Sequence, residues 1–215
     1  MTFDQVNSKM IEATVRPGQT LYCLRGAMLA YRGEVSFTPT STGAQGVGGM
    51  IGRRLAGESV PLMKAEGDGT VMFGHAGRHV HLIQITGDTL HVEADRLLVF
   101  EDSLQQGTMF MGSQGGVRGM IRGQVTGQGL FTTTLTGHGW CGVLAHGGVI
   151  ELPVQPGRSI HVDPQAYVAH RGQIDNRIGA NVGWRDVIGR GSGEAFQLEL
   201  SGTGTVYVQA SEEKL

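Results

Sequence analysis

His79 and His81 stand two apart in the run HVHLIQI, and His91 and Glu93 repeat that spacing further along. Side chains two apart on a strand project from one face, so these groups could present imidazoles and a carboxylate toward one metal ion. An H-x-H followed closely by glutamate is the ligand order of metal-dependent β-helix enzymes, and Gly74-x4-His79-x-His81 comes near it. Gln84, however, occupies the place where the carboxylate is wanted, and His81 aligns with Glu12 and Glu151, a polar position throughout. The pattern is therefore read as a solvated strand face, and His161 with Asp163 in the same way. A metal site at His79, His81 and His91 is kept as the subordinate reading, and no cofactor is expected.

Other reactive types give less. Cys23 falls in line with Val92 and Val162, and Cys141 with Val71 and Val206, so both thiols are expected in core slots rather than in a disulfide or as a nucleophile. Three glycine-rich stretches, residues 41–59, 112–129 and 177–193, each carry arginine: Arg53 and Arg54, Arg118 and Arg122, Arg185 and Arg190. Backbone amides in such loops can cradle an anion, yet none contains the phosphate-loop sequence G-x-x-x-x-G-K-[ST]. Their apolar residues, Met50, Ile51, Met120, Ile121 and Trp184, make them the expected partner-facing loops, with Arg53, Arg54, Arg122 and Arg190 at the rim. Inward-tucked caps are the competing expectation.

These residues need elements to hold them, and the chain supplies them by repetition. Sliding the stretch 127–168 back by seventy positions sets Gly127, Gly137, Gly139, Leu152, Gly157, His161 and Asp163 over Gly57, Gly67, Gly69, Leu82, Gly87, His91 and Glu93. A second slide sets VIELPVQPGRSI (149–160) over MIEATVRPGQTL (10–21). Short strands between turns are expected within each unit. Gly67-Asp68-Gly69, Gly137-His138-Gly139 and Gly202-Thr203-Gly204 are expected as hairpin turns, and Pro17-Gly18, Thr86-Gly87 and Pro156-Gly157 as a second set. A third set is expected at Arg32-Gly33, Glu101-Asp102 and Arg171-Gly172. Because FQLELSGTGTVYV (196–208) matches 131–143 and the chain then ends, the third unit is expected to be completed by both termini, the N-terminal strand lying beside the C-terminal one.

The fold class expected is thus all-β: one domain over residues 1–215, built of three repeats of about seventy residues, β-prism or double-stranded-β-helix-like. The 36 glycines are then turn residues rather than low-complexity disorder, given 40% hydrophobic content. A net charge of −2 argues against nucleic acid as a partner. With no signal-like segment and no apolar run long enough to span a bilayer, a cytoplasmic location is expected.

The spacing G-x-G-L-F, then L-T-G-x-G, then L-x-V-x-P-G-x-S-I-x-V-D, together with the GG-x-x-x-G-x-x-R inserts, resembles the altered-inheritance-of-mitochondria-twenty-four family over roughly residues 5–210. Its bacterial members are placed with proteins resembling the tryptophan RNA-binding attenuator protein. The resemblance implies an all-β fold and supplies no catalytic residues. Mitochondrial relatives are associated with inner-membrane organisation, a role that transfers poorly to a sequence without a transit peptide. Three functions remain in order: a noncatalytic structural or interaction protein whose partner is itself, as a homo-oligomer, or another protein; an RNA- or small-ligand-binding module; and a cupin-like metal enzyme.

Overall fold

The structure, a computed structural model, describes residues 1–40, 61–110, 131–179 and 197–211. Within them the chain is nearly all strand, in one antiparallel sheet. The strands are β1 (Thr2–Asn7), β2 (Met10–Val15), β3 (Thr20–Leu24), β4 (Met28–Pro39), β5 (Leu62–Phe73), β6 (His79–Glu93), β7 (Leu97–Glu101), β8 (Leu104–Phe110), β9 (Phe131–Ala145), β10 (Val149–Val154), β11 (Ile160–Val162), β12 (Tyr167–Gly179) and β13 (Gln197–Gln209). A single 3-10 turn, Ala94–Arg96, links β6 to β7. Among the described residues no helix is long and apolar enough to cross a membrane, which leaves spanning by strands unaddressed.

Three long strands organise the pairing, each taking the strands that precede it as partners. β5 pairs with β2, β3 and β4. β9 pairs with β6, β7 and β8, and β13 with β10, β11 and β12. The expected joining of the termini is therefore wrong: β1 pairs with β2, β2 goes on to β5, and β13 stays with its own predecessors. The tracts 10–21 and 149–160 both find their partner in the long strand downstream.

The glycine triplets are not hairpin turns either. Gly67-Asp68-Gly69 lies inside β5, where that strand passes from pairing with β3 (residues 62–66) to pairing with β2 (residues 69–73). Gly202-Thr203-Gly204 does the same in β13 between β11 and β10. Gly67, Gly137 and Gly202 take φ of 136°, 133° and 119°, which only glycine tolerates there. The bend also brings backbones together: a Cβ on Gly204 would strike the Arg171 carbonyl, and one on Gly172 would sit 2.6 Å from the Thr203 carbonyl oxygen. The partner strands break or bulge at the matching place. Pro17-Gly18 and Pro156-Gly157 separate β2 from β3 and β10 from β11, whereas Thr86-Gly87 only bulges the continuous β6, with the Thr86 N–H donating to Asp88 Oδ1 at 3.3 Å. In the third set, Arg32-Gly33 and Arg171-Gly172 lie within β4 and β12, and only Glu101-Asp102 leads into a turn.

The core follows from alternation. In β2, Ile11, Ala13 and Val15 point inward and are fully buried. β7 is buried on both faces: Leu97 and Phe100 join one apolar cluster with Ile85, Leu90, Leu135 and Val143, while Leu98 and Val99 join a second with Ile11, Leu21 and Phe73. A third, smaller cluster gathers Val154, Val162, Tyr167, Leu198, Leu200 and Val206. Each fully buried Leu, Ile or Phe stabilises the fold by roughly 1.5–3 kcal/mol, and β7 contributes Leu97, Leu98 and Phe100 to that sum.

Candidate functional site

The first histidines sit where alternation puts them, and each has a local partner. His79 Nδ1 accepts the Gly147 N–H at 3.3 Å. His81 Nε2 lies 3.7 Å from Glu151 of β10, and the ring tilts against that of Tyr207. Burial lowers the His81 pKa, with Glu151 partly offsetting it. His91 lies far along β6 with its ring stacked on His170 of β12 at 4.5 Å, the planes 4° apart. Among the described residues no group of three or more His, Cys, Asp or Glu side chains is arranged to hold a metal ion.

The stacked pair is what the sequence reading missed. His170 pairs with His91 across the β6–β12 ladder, and its Nδ1 is 2.6 Å from the Tyr167 hydroxyl, which is also 3.3 Å from the His91 carbonyl oxygen. Burial, and then the charge of His91, drives the His170 pKa down to about 3, and burial also lowers that of His91. Tyr167 is raised well above its ordinary value by burial and by Glu93. At neutral pH this is therefore a neutral cluster in which the tyrosine hydroxyl bridges the ring nitrogen and the carbonyl. A cleft of about 420 Å³ opens over it, lined among others by Gln173, Asp175, Asn176 and Thr203. His91 Nδ1 is buried there with no hydrogen-bond partner among the described residues. Next along β12, Arg171 grips Asp88 with two bonds, Nε to Oδ2 at 2.6 Å and Nη2 to Oδ1 at 2.7 Å, and donates a third to the Gln84 carbonyl. Although burial pushes the Asp88 carboxyl up, those bonds outweigh it and hold its pKa below the ordinary value.

A second stacked pair occupies the matching place at the β3–β7 ladder, where Tyr22 lies on Phe100 at 5.1 Å and 15°. Polar and apolar versions of one cross-strand contact thus close two seams of the sheet.

Both cysteines are buried, as expected, and burial pushes each thiol up to about 12. The proposed interaction residues Met50, Ile51, Arg53, Arg54, Met120, Ile121, Arg122, Trp184 and Arg190 lie outside the described residues. The strands flanking those inserts are paired up to their ends, Pro39 with Met63, Phe110 with Phe131 and Gly179 with Gln197. The described surface shows its own apolar feature: Met28, Leu29 and Tyr31 of β4 are 38%, 55% and 47% exposed, with Val6 and Ile150 exposed elsewhere. β4 is an edge strand whose one strand partner among the described residues is β5.

No curated protein matches this sequence. Among solved structures, the X-ray crystal structure of a protein from Streptococcus pyogenes shares the fold, with a TM-score of 0.73 and 22% identity, covering 98% of this chain and 93% of that one. The family model described as mitochondrial biogenesis AIM24 matches residues 2–211, and the chain belongs to that family.

Proposed function

We propose that this protein is a noncatalytic structural protein of the cytoplasm that works by associating with itself, as one domain over residues 1–215. The observation that carries this reading is the β4 edge, where Met28, Leu29 and Tyr31 are exposed on a strand that is paired on one side among the described residues. Edge strands are normally blunted by charge, proline or cover, and an apolar one is a template for another strand. The imidazoles support the same reading: His79 and His81 meet a backbone amide and a carboxylate of neighbouring segments, and His170 stacks on His91 across the β6–β12 ladder. The inserts around Met50, Met120 and Trp184 are proposed to add to the contact surface. Sedimentation velocity of the full chain over a wide concentration range tests the proposal. Association should grow with concentration, and a single-chain species throughout would refute it.

A further inference from the structure

The self-association just proposed has an address in the strand ladder. Three strands start with the same irregularity: the register slips between Met28 and Ala30 in β4, between Leu97 and Val99 in β7, and between Tyr167 and Ala169 in β12. After that slip, β7 runs between two strands, its own long partner β9 and the earlier β3. β12 likewise runs between β13 and the earlier β6. β4 has β5 alone among the described residues. Conversely, β3 and β6 are covered by β7 and β12, whereas β11, aligned with them by sequence, pairs with β13 alone among the described residues. One edge of each kind is left over.

Burial marks both as unfinished. At the closed seams Val99, Phe100, Ala169 and His170 are at most 2% exposed, while Ala30 is exposed and Tyr31 is 47% exposed. Leu21 and Leu90 are fully buried, whereas Ile160 in their place is only half-buried and His161 is exposed. The rings agree. Tyr22 has Phe100 and His91 has His170; the corresponding pair is His161 and Tyr31, and Tyr31 meets Phe37 edge-on instead.

Resting on the self-association reading, we infer that a second copy of this chain completes the β4 edge with its β11. The register is taken from the other seams, where Phe100 opposes Tyr22 and His170 opposes His91: Ala30 against Val162, Tyr31 against His161 and Arg32 against Ile160. The contact uses different surfaces on the two copies, so each copy keeps a free edge at its far end and the assembly grows head to tail into a ring or a fibre. Electrostatics shape its strength. At the β6–β12 seam Arg171 finds Asp88, but the residue aligned with Asp88 in the third tract is Arg158, so Arg32 gains no carboxylate there and keeps Glu12, 3.6 Å away. Two arginines drawn together make the contact one that salt strengthens.

Cysteine cross-linking tests the register. Opposed residues in an antiparallel ladder have Cα atoms about 4.5–5.5 Å apart, within disulfide reach. The native Cys23 and Cys141 are buried and stay out of the reaction. Y31C and H161C are made separately in the full chain, mixed and mildly oxidised. A reducible covalent dimer in the mixture, and much less in either variant alone, is the expected result. Wild-type protein that associates while the mixture does not cross-link would overturn this address and leave self-association standing. A Y31C/H161C double variant that links only within one chain would show that the seam closes on itself, which also overturns the contact between copies. Y31E serves as the second variant, since Tyr31 is half in water and its loss should spare the fold by circular dichroism. It should sediment as a single chain, and undiminished association of a folded Y31E would equally refute the contact.

Discussion

Acid should unfold this protein through His170, and the size of the effect is set by the β6–β12 seam. The imidazole is 2% exposed and its folded pKa lies at about 3, against 6.5 for an unfolded histidine. Between those values the unfolded chain binds a proton that the folded chain refuses, so stability rises with pH across the window and is lost on acidification below pH 6.5. From those two pKa values the loss from neutrality to pH 5 is about 2 kcal/mol, with a limiting slope of about 1.4 kcal/mol per pH unit. For a chain of this size that is a fall of roughly 4–8 °C in melting temperature. His91, also lowered by burial, works in the same direction. Asp88, lowered too, contributes stability above the ordinary carboxylate range and loses it only at more acidic pH. Urea titrations at several pH values, on wild type and on H170F, isolate the His170 share. Phenylalanine is what the β3–β7 seam uses at the matching position, stacked on Tyr22. The variant should hold its stability between pH 7 and 5 better than wild type by about 2 kcal/mol. Parallel pH profiles for the two proteins would refute the reasoning, as would an NMR titration placing the His170 pKa near 6.5.

Other outcomes rest on single contacts. L97A removes a fully buried side chain from the doubly covered β7 and should cost about 2–5 kcal/mol in a denaturant titration. R171A breaks the bidentate grip on Asp88 and should cost roughly 1–3 kcal/mol, less at low pH where Asp88 is protonated. G202A places a Cβ against the Gln173 carbonyl at φ 119° and should lose more stability than an ordinary Gly-to-Ala change, read as a lower melting temperature. Cys23 and Cys141, with thiols pushed up to about 12, should stay unmodified by a thiol reagent at mildly alkaline pH in the folded protein and react fully once it is denatured.

Strand content and the alternation of buried positions were the legible part of the sequence. The equivalence of Cys23, Val92 and Val162 as core positions shows in their burial at 1%, 0% and 4%. The matching of 10–21 with 149–160 likewise reappears as β2–β3 and β10–β11. Glycine triplets misled because a turn and a strand corner ask the same thing of the backbone, positive φ and no Cβ, and only the long-range partner distinguishes them. The same gap explains the termini: a repeat tells which segments are alike, and says nothing of whether a unit joins its upstream or its downstream neighbour. His170 gave no sign of its role because that role depends on His91, a contact made across β6 and β12 that no local spacing encodes. The exposed edge at Tyr31 was invisible for a related reason, since Phe100 and His170 share its sequence place and differ from it in having a neighbour.

Hydrogen exchange at the backbone amides of residues 28–32 and 160–162, monitored by mass spectrometry at high and low protein concentration, tests the self-association account most directly. In an assembled protein both segments should gain protection beyond what β5 and β13 give them within one chain, and both should lose that added protection on dilution while β7 and β9 keep theirs. Exchange in both segments that does not change with protein concentration would contradict the account, since it would leave only the protection that β5 and β13 give within one chain.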